Sequence, residues 1–292
     1  MRWRMRRFAP EADRPWVHHL WAAALAPAWP VLPAGVAMVA DGLVAEAGTG
    51  PVGLAAVDVA GSIPLILVHP GYQRHGIGTG LLSAALDKLR EGGITDVTAA
   101  SGGSGYIWPG VPRDLPAAVQ FFTSRGWRPG HDTLDLVADL ARYRPAPAAR
   151  QRAARAGISL ARAVSADLSE VLAFEAATFP SWARWFAAGN EDILIARDHS
   201  GNIAATLLFD GPGADTVFAP MLGPAAGTIG CVGVAPHQQG RGIGTALVTR
   251  ASQVLRQAGT ATCHIGWTTR ETFYRRAGYR PWRRYAMFHL PG

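Results

Sequence analysis

The feature that most constrains this chain is an internal repeat. Val68-His69-Pro70-Gly71-Tyr72-Gln73-Arg74-His75-Gly76-Ile77-Gly78-Thr79 aligns without a gap on Val234-Ala235-Pro236-His237-Gln238-Gln239-Gly240-Arg241-Gly242-Ile243-Gly244-Thr245. Leu81, Leu89, Arg90 and Gly93 then match Leu247, Leu255, Arg256 and Gly259 at the same spacing. Identities that hold one spacing through a loop and a helix imply two copies of one fold. A chain of 292 residues has room for both. Between the copies, Arg142 to Gly157 carries Pro145, Pro147 and a run of Arg and Ala, the composition of a solvated linker. The expected organisation is an N-terminal domain over 1–141, a linker over 142–157 and a C-terminal domain over 158–292.

Each copy predicts the same order of elements. An apolar strand (Ile63 to Val68; Ile229 to Val234) leads through a Pro-marked turn into a Gly-rich stretch that opens a helix. Leu81, Leu82, Ala85, Leu86 and Leu89 give the first helix an apolar face, and Ala246, Leu247, Ala251, Val254 and Leu255 do the same for the second. Upstream, Asp192 to Ala196 and Ile203 to Phe209 flank a His199-Ser200-Gly201-Asn202 turn and read as a hairpin. Val36 to Ala47 and Val52 to Val59 are its weaker first-half counterpart. A further strand (Val97 to Ala100; Ala261 to Trp267) and a short helix ending at Gly126 or Gly278 follow. The fold class is α+β, with mixed, mostly antiparallel sheets flanked by helices.

Composition narrows the partners. Lys and Arg number 28 against 21 Asp and Glu, a net charge of +7 in which every basic residue but Lys88 is Arg. So uniform a bias is a property of the whole chain rather than of a patch, and no nucleic-acid partner is expected. Val17 to Ala40 lacks Asp, Glu, Lys and Arg, but Pro27, Pro30 and Pro33 argue against a membrane-spanning helix. Cys231 and Cys263 make no disulfide framework, which suits a reducing cytoplasm. No metal is expected, and the chain should be a monomer or homodimer.

The Gly-rich loops carry the chemistry. Gln73-x-x-Gly76-x-Gly78 and Gln239-x-x-Gly242-x-Gly244 lie directly before a helix N-terminus, where unpaired amides and the helix dipole favour a pyrophosphate. A dinucleotide-binding loop has its glycines immediately after the strand, whereas here a Pro turn intervenes; a P-loop needs Gly-Lys-Ser/Thr, which is absent. A glycine-rich helix cap without a ligand is the bland alternative, and two copies with the same Gln, glycines and strand weigh against it.

These loops resemble that of the GNAT superfamily of acetyltransferases, which reads Gln or Arg, then x-x-Gly-x-Gly or Ala. The resemblance spans nearly the whole chain as two tandem GNAT domains. It implies acetyl-coenzyme A as cofactor, held by Val68, Gln73, Arg74, His75, Gly76, Ile77, Gly78 and Thr79 in the first copy. Val232, Val234, Gln239, Gly240, Arg241, Gly242, Ile243, Gly244 and Thr245 are the second-copy counterparts. Phe273-Tyr274-Arg275-Arg276-Ala277-Gly278-Tyr279 is similar to the family's ending, which implies that Tyr274 protonates the departing thiolate. The family's direct transfer also implies that backbone amides near Val232 to Val234 hold the acetyl oxygen and that no enzyme-bound intermediate forms. A nucleophilic Cys231 or Cys263 is a weaker alternative to their being small buried strand residues.

The halves are not equivalent. Phe121-Phe122-Thr123-Ser124-Arg125-Gly126-Trp127 keeps the spacing but places Phe122 where the second half has Tyr274, so the first half is expected to bind coenzyme or to support its neighbour. Its insertion Ser101 to Pro112 contains Tyr106, a substitute donor or part of a flap. Where some family members have a carboxylate at the start of the central strand, this chain has Ser62 and Thr228. Glu175 is the preferred general base, in the stretch Phe174 to Trp185 where the family builds its acceptor pocket; His264, Glu271 and Asp192 are alternatives. Trp182, Trp185, Trp267 and Trp282 are candidates for stacking on an acceptor. Trp108-Pro109-Gly110-Val111-Pro112 and Arg280-Pro281-Trp282-Arg283-Arg284-Tyr285 are similar to tandem GNAT enzymes of glucosamine and glucosaminides. The expected acceptor is a small-molecule primary amine, with an aminosugar leading; a non-catalytic acyl-coenzyme A sensor and a protein N-acetyltransferase stand as alternatives.

Overall fold

The computed structural model describes residues 1–290 except 49, 102–106, 145–147, 149–150, 152–153, 156, 190 and 214–216; Tyr106 lies outside the described residues. The first half of the chain forms β1 (Trp3–Arg7), α1 (Pro10–Leu25), α2 (Pro33–Ala37), β2 (Gly42–Ala47), β3 (Gly50–Asp58), β4 (Ser62–Val68), α3 (Ile77–Glu91), β5 (Val97–Ala99), β6 (Val111–Pro112), α4 (Pro116–Thr123) and β7 (Arg128–Asp139). The second forms β8 (Ser159–Arg162), α5 (Leu168–Thr178), α6 (Ala183–Ala188), β9 (Asp192–Arg197), β10 (Ile203–Asp210), α7 (Ala219–Leu222), β11 (Ala226–Val234), α8 (Ile243–Gln257), β12 (Thr262–Thr268), α9 (Glu271–Arg275) and β13 (Arg280–Leu290). The expected order is present, with one local difference. Val36 lies in α2, because Pro33 opens a helical turn there rather than a strand.

The chain makes two compact units: Met1–Leu134 with Val217–Met221 and Arg283–Gly292, and Asp135–Thr216 with Leu222–Trp282. The sequence boundaries at 141 and 158 follow the repeat along the chain, whereas each compact unit takes its closing strand from the other half. In the first unit, Phe288, His289 and Leu290 of β13 pair antiparallel with Ala99, Thr98 and Val97 of β5. Tyr285 and Ala286 pair with Pro112 and Val111, which joins the two segments that resemble glucosamine enzymes. In the second unit, Asp135–Asp139 of β7 lies beside β12, and the buried Tyr143 hydroxyl donates to the Ala277 carbonyl at 2.7 Å.

In each unit antiparallel ladders join β2 to β4 and β9 to β11, through β3 and β10 respectively, and a parallel pairing follows. β4 pairs in parallel with β5 only at Ser62 and Ile63, and β11 pairs in parallel with β12 only from Ala226 to Thr228. Beyond these residues the pairing stops, which leaves a fork along the C-terminal parts of β4 and β11, the ends from which the Gly-rich loops leave. The loop helix packs its apolar stripe on the sheet: Ile77, Leu81, Leu82, Ala85 and Leu89 are buried in α3, and Ile243, Ala246, Leu247, Val248, Ala251 and Leu255 in α8. Among the described residues no helix is long and apolar enough to cross a membrane; the charge-free stretch is α1, an irregular segment and α2.

Candidate active site

The two loops are built alike. Gly76 and Gly242 cap their helices at φ 80° and 82°, left-handed backbone that favours glycine. Neither helix has a side-chain cap, and the first helical bonds are Gly80 N–H to Gly76 and Ala246 N–H to Gly242. The amides of residues 77–79 and 243–245 therefore lie ahead of the helical ladder, as an anion site requires. Gln73 and Gln239 turn back to the strand: their Nε2 atoms donate to the Val68 and Val234 carbonyls at 3.0 and 3.1 Å. They clamp the loop to the strand end. The second glycine of each pair makes room for an aromatic ring. A Cβ on Gly78 would stand 3.3 Å from Phe121, and one on Gly244 would stand 3.1 Å from Phe273 and from Val234. One left-handed loop position is filled differently: Arg74 holds at φ 65° the conformation that Gly240 takes at 79°. In the first unit Arg125 also donates to the Thr79 hydroxyl at 2.6 Å.

Strand amides complete this geometry. Ala235 N–H donates to Ala204 on β10 and His69 N–H to Val52 on β3, both at 2.9 Å. Because amides alternate along a strand, those of Val234 and Val68 are directed to the opposite edge, into the fork. The residues present thus fit a pyrophosphate-bearing thioester such as acetyl-coenzyme A: open helix amides at one end, and at the other a strand amide facing a gap between strands.

Each central strand pair carries an irregularity, in the first unit where Val57 stands opposite Ile63 and Pro64, in the second nearer the loop. Thr206 faces Gly233 and Leu208 faces Gly230, so Cys231 and Val232 bulge opposite one residue of β10. Cys231 sits at φ 48°, rare for a residue with a side chain. Gly233 leaves a bare stretch of backbone on which Phe179 lies; a Cβ there would be 2.5 Å from the ring. Around this bulge the candidate chemistry gathers. Tyr274, buried on α9, packs edge-on against Phe273, and burial together with the Cys231 thiol raises its pKa. Glu175 on α5 is fully buried; Thr206 donates to its Oε1, and its Oε2 has no hydrogen-bond partner among the described residues. Burial pushes the Glu175 carboxyl up to about 7 against the opposing Thr206 hydrogen bond. Burial, with Glu191 and Glu175, pushes the Cys231 thiol up to about 12, which keeps it from acting as a thiolate. Burial raises the Cys263 thiol likewise.

The remaining candidates are engaged elsewhere. Asp192 accepts from Arg162, and Glu271 accepts from Arg275 one helical turn on. His264 Nε2 lies 3.2 Å from the fully buried Asp135 carboxylate, which also accepts the Trp267 amide at 2.9 Å. Trp282 packs edge-on to His264; Trp267 is 38% exposed. Trp182 stacks on Phe179 at 5.0 Å. Sequence reasoning missed Thr206, Asp135, Glu191 and Asp210. Asp210 does leave a trace, as a charge ending the apolar run Ile203 to Phe209.

A family model described as an acetyltransferase (GNAT) domain matches the chain twice, over residues 39–129 and 189–281. Among solved structures, a GCN5-related glucosamine N-acetyltransferase region of a fungal multi-domain GH3 beta-N-acetylglucosaminidase is 27% identical with a TM-score of 0.91. That match covers 99% of this chain and 38% of the other, so this chain spans well under half of that protein's length. A GCN5-related N-acetyltransferase from Sphaerobacter thermophilus is 21% identical, with a TM-score of 0.73 and coverage of 99% and 95%. A tandem GNAT protein from the clavulanic acid biosynthesis pathway is 19% identical, with a TM-score of 0.68 and coverage of 99% and 98%; these last two are likenesses of fold. No curated protein matches the chain.

Proposed function

This chain belongs to the GNAT acetyltransferase family, and from that premise we propose that it is an N-acetyltransferase whose second unit acetylates a small-molecule primary amine, an aminosugar. The observation that carries this reading is the gathering of Glu175 and Tyr274 about the bulge at Cys231: Glu175, from α5, bonds Thr206 beside the bulge and raises the Cys231 thiol, and that thiol in turn raises Tyr274 on α9. Acetyl-coenzyme A, when bound, supplies the thioester carbonyl that the amine attacks. The amides of residues 243–245 would hold its pyrophosphate, and the Val234 amide would face the acetyl oxygen as charge develops there. Glu175 Oε2 takes a proton from the acceptor ammonium; a carboxyl near 7 is matched to that task at neutral pH. Tyr274, kept protonated by its raised pKa, gives its proton to the departing thiolate. Holding both partners at the fork makes the attack effectively intramolecular.

The aminosugar rests on the similarity to the fungal glucosamine N-acetyltransferase region and on half-buried Phe174, Phe179 and Trp182 beside Glu175, flat apolar faces of the kind that stack on a sugar ring. For the first unit we propose coenzyme binding or support without turnover, since Phe122 has no proton to give. Thiol release from acetyl-coenzyme A with glucosamine, an aminoglycoside or a lysine peptide tests the reading. Glucosamine is expected to be fastest. Release with none of them, despite binding of acetyl-coenzyme A, would favour a sensor, and preference for the peptide a protein N-acetyltransferase.

A further inference from the structure

The Glu175 carboxyl is held by one side chain of a neighbouring strand. On α5, Val171 and Glu175 lie about one turn apart and are the buried residues of the helix. Val171 joins an apolar cluster with Phe186, Ile193, Ile195, Ile203 and Leu208, so the stripe that carries Glu175 is otherwise core. Against it stands Thr206, the one polar residue of the buried run Ile203 to Phe209, paired with Ile195 on β9 and Gly233 on β11. Thr206 and Glu175 are both fully buried. The Thr206 hydroxyl donates to Oε1, and Oε2 has no partner among the described residues.

The strand itself has no use for a hydroxyl at this place. In the first unit Leu54 stands there, facing Leu67 as Thr206 faces Gly233, and leucine packs the same sheet position. A hydroxyl inside an apolar run costs free energy unless it finds a partner, and a β-branched side chain has few rotamers in which to find one. Thr206 has found Glu175.

We propose that Thr206 is a positioning residue for the base: its hydroxyl fixes Oε1 and so leaves Oε2 as the oxygen that takes the acceptor's proton. One N–H bond of the ammonium breaks, and its electron pair stays on nitrogen to attack. The proton forms an O–H bond on Oε2, while the Thr206 hydroxyl keeps its own. A donor to a carboxylate also favours the charged form, so the same bond opposes the burial that pushes Glu175 up to about 7. The inference rests on Glu175 being the base.

Few other titratable groups surround α5. Glu170 on the helix and Asp167 before it are paired with Arg197, Arg184 on α6 lies over the Trp185 ring, and β10 carries none before Asp210. On β11 the Cys231 thiol is pushed by burial up to about 12, and burial raises Tyr274 on α9 as well. Glu191, ahead of β9, is pushed up to about 7 by burial and the Asp210 charge. Since Glu191 titrates in the same range, Glu175→Gln is the control that assigns the pH dependence.

The test is the pH profile of kcat/KM for glucosamine in wild type, Glu175→Gln, Thr206→Val, which keeps the shape without the hydroxyl, and Thr206→Ser, which keeps the hydroxyl. Without its donor Glu175 ionises at higher pH. The rise of kcat/KM through about 7 should therefore move up by about one pH unit in Thr206→Val, with a loss of about tenfold at pH 7 that closes above the new midpoint. Thr206→Ser should restore the wild-type midpoint. A threonine needed only for packing would lower activity at every pH and leave the midpoint in place; that result, or a serine variant that shifts as the valine does, overturns the proposal. If Glu175→Gln keeps the wild-type rise, the base is misassigned and the inference falls with it. If Glu175→Gln loses the rise and Thr206→Val does not shift it, the positioning role alone falls. Infrared titration of the buried carboxyl stretch, assigned by its absence in Glu175→Gln, reads the same midpoints without turnover. Should no amine be acetylated, a higher midpoint in Thr206→Val than in wild type and Thr206→Ser supports the role of Thr206, and equal midpoints overturn it. Thr206→Ala takes the place of Thr206→Val if the valine variant does not fold.

Discussion

At their loops the two units share the Pro-marked turn, the Gln and both glycines of the motif and differ in side chains such as Arg74 against Gly240 and His75 against Arg241; one strand away they differ in where the bulge falls. In the first unit Leu54 faces Leu67, and Ala55 and Ala56 face Ile66 and Leu65, the register shifting only further from the loop, where Ile63 and Pro64 stand opposite Val57. In the second, Thr206 faces Gly233, and the strand bulges at Cys231. The repeat thus aligns Thr206 with Leu54, Cys231 with Leu65 and Gly233 with Leu67, and Tyr274 aligns with Phe122. Phe122 is buried in an aromatic group, stacked on Phe288 at 5.6 Å and edge-on to Trp127. Anion binding at a helix terminus is a property of backbone conformation, so it persists wherever glycines hold the turn. Proton transfer depends on single side chains and on where a bulge falls, and it can be lost while the loop stays intact.

The sharpest way to break this contrast is Tyr274→Phe, expected to lower kcat about 100-fold. That is the low end for a proton donor, because a thiolate, with a reference pKa near 8.5, departs more readily than an alkoxide or amide. Turnover equal to wild type would remove the role given to Tyr274.

Glu175→Gln should lower kcat/KM about 10- to 100-fold near pH 7. Wild-type kcat/KM should rise with pH through about 7 as Glu175 becomes the base. In the variant activity should recover only at higher pH, where solvent deprotonates the amine. An unchanged pH profile would move the base elsewhere, with Glu191 the next candidate.

The same substitution has an opposite effect on stability. Burial raises the folded-state pKa of Glu175 from 4.5 to about 7. Its contribution is therefore fully present below about 4.5 and is lost as pH rises through about 7. At pH 8 Glu175→Gln should raise Tm by about 2–4 °C, the shift expected for roughly 1 kcal/mol, and below pH 4.5 the gain should vanish. A melting-temperature series across pH reads this directly.

The smallest effect on turnover is expected for Phe122→Tyr. A hydroxyl between Phe288 and Trp127 costs on the order of 1–3 kcal/mol of stability, yet turnover per folded molecule should stay within about twofold. A large gain in kcat would mean that the first unit lacks only a proton donor.

Much of this was legible in sequence because it is local. The Gly-rich loop, the amphipathic α3 and α8 and the Phe122–Tyr274 difference are all carried by residues a few positions apart. The exchange of Asp135–Asp139 and Arg283–Leu290 between units was not legible, since both closing strands have the same apolar pattern and nothing local says which sheet receives them. The bulge at Cys231 depends on register against β10, which periodicity does not encode. Glu191 and Asp210 come together only through the pairing of β9 with β10, and Asp135 meets His264 across more than a hundred residues. Gln73 and Gln239 were legible as motif residues, but that their side chains reach the Val68 and Val234 carbonyls was not.

The central claim, that turnover belongs to the second unit, is tested most directly by paired substitutions of the helix-capping glycines. Gly76→Ala and Gly242→Ala impose nearly the same backbone strain, at φ 80° and 82°, so their effects on folding should be similar. Steady-state thiol release should fall at least tenfold for Gly242→Ala through KM for acetyl-coenzyme A, and stay within about twofold of wild type for Gly76→Ala. The reverse pattern, with Gly76→Ala silencing the enzyme and Gly242→Ala sparing it, would contradict the account.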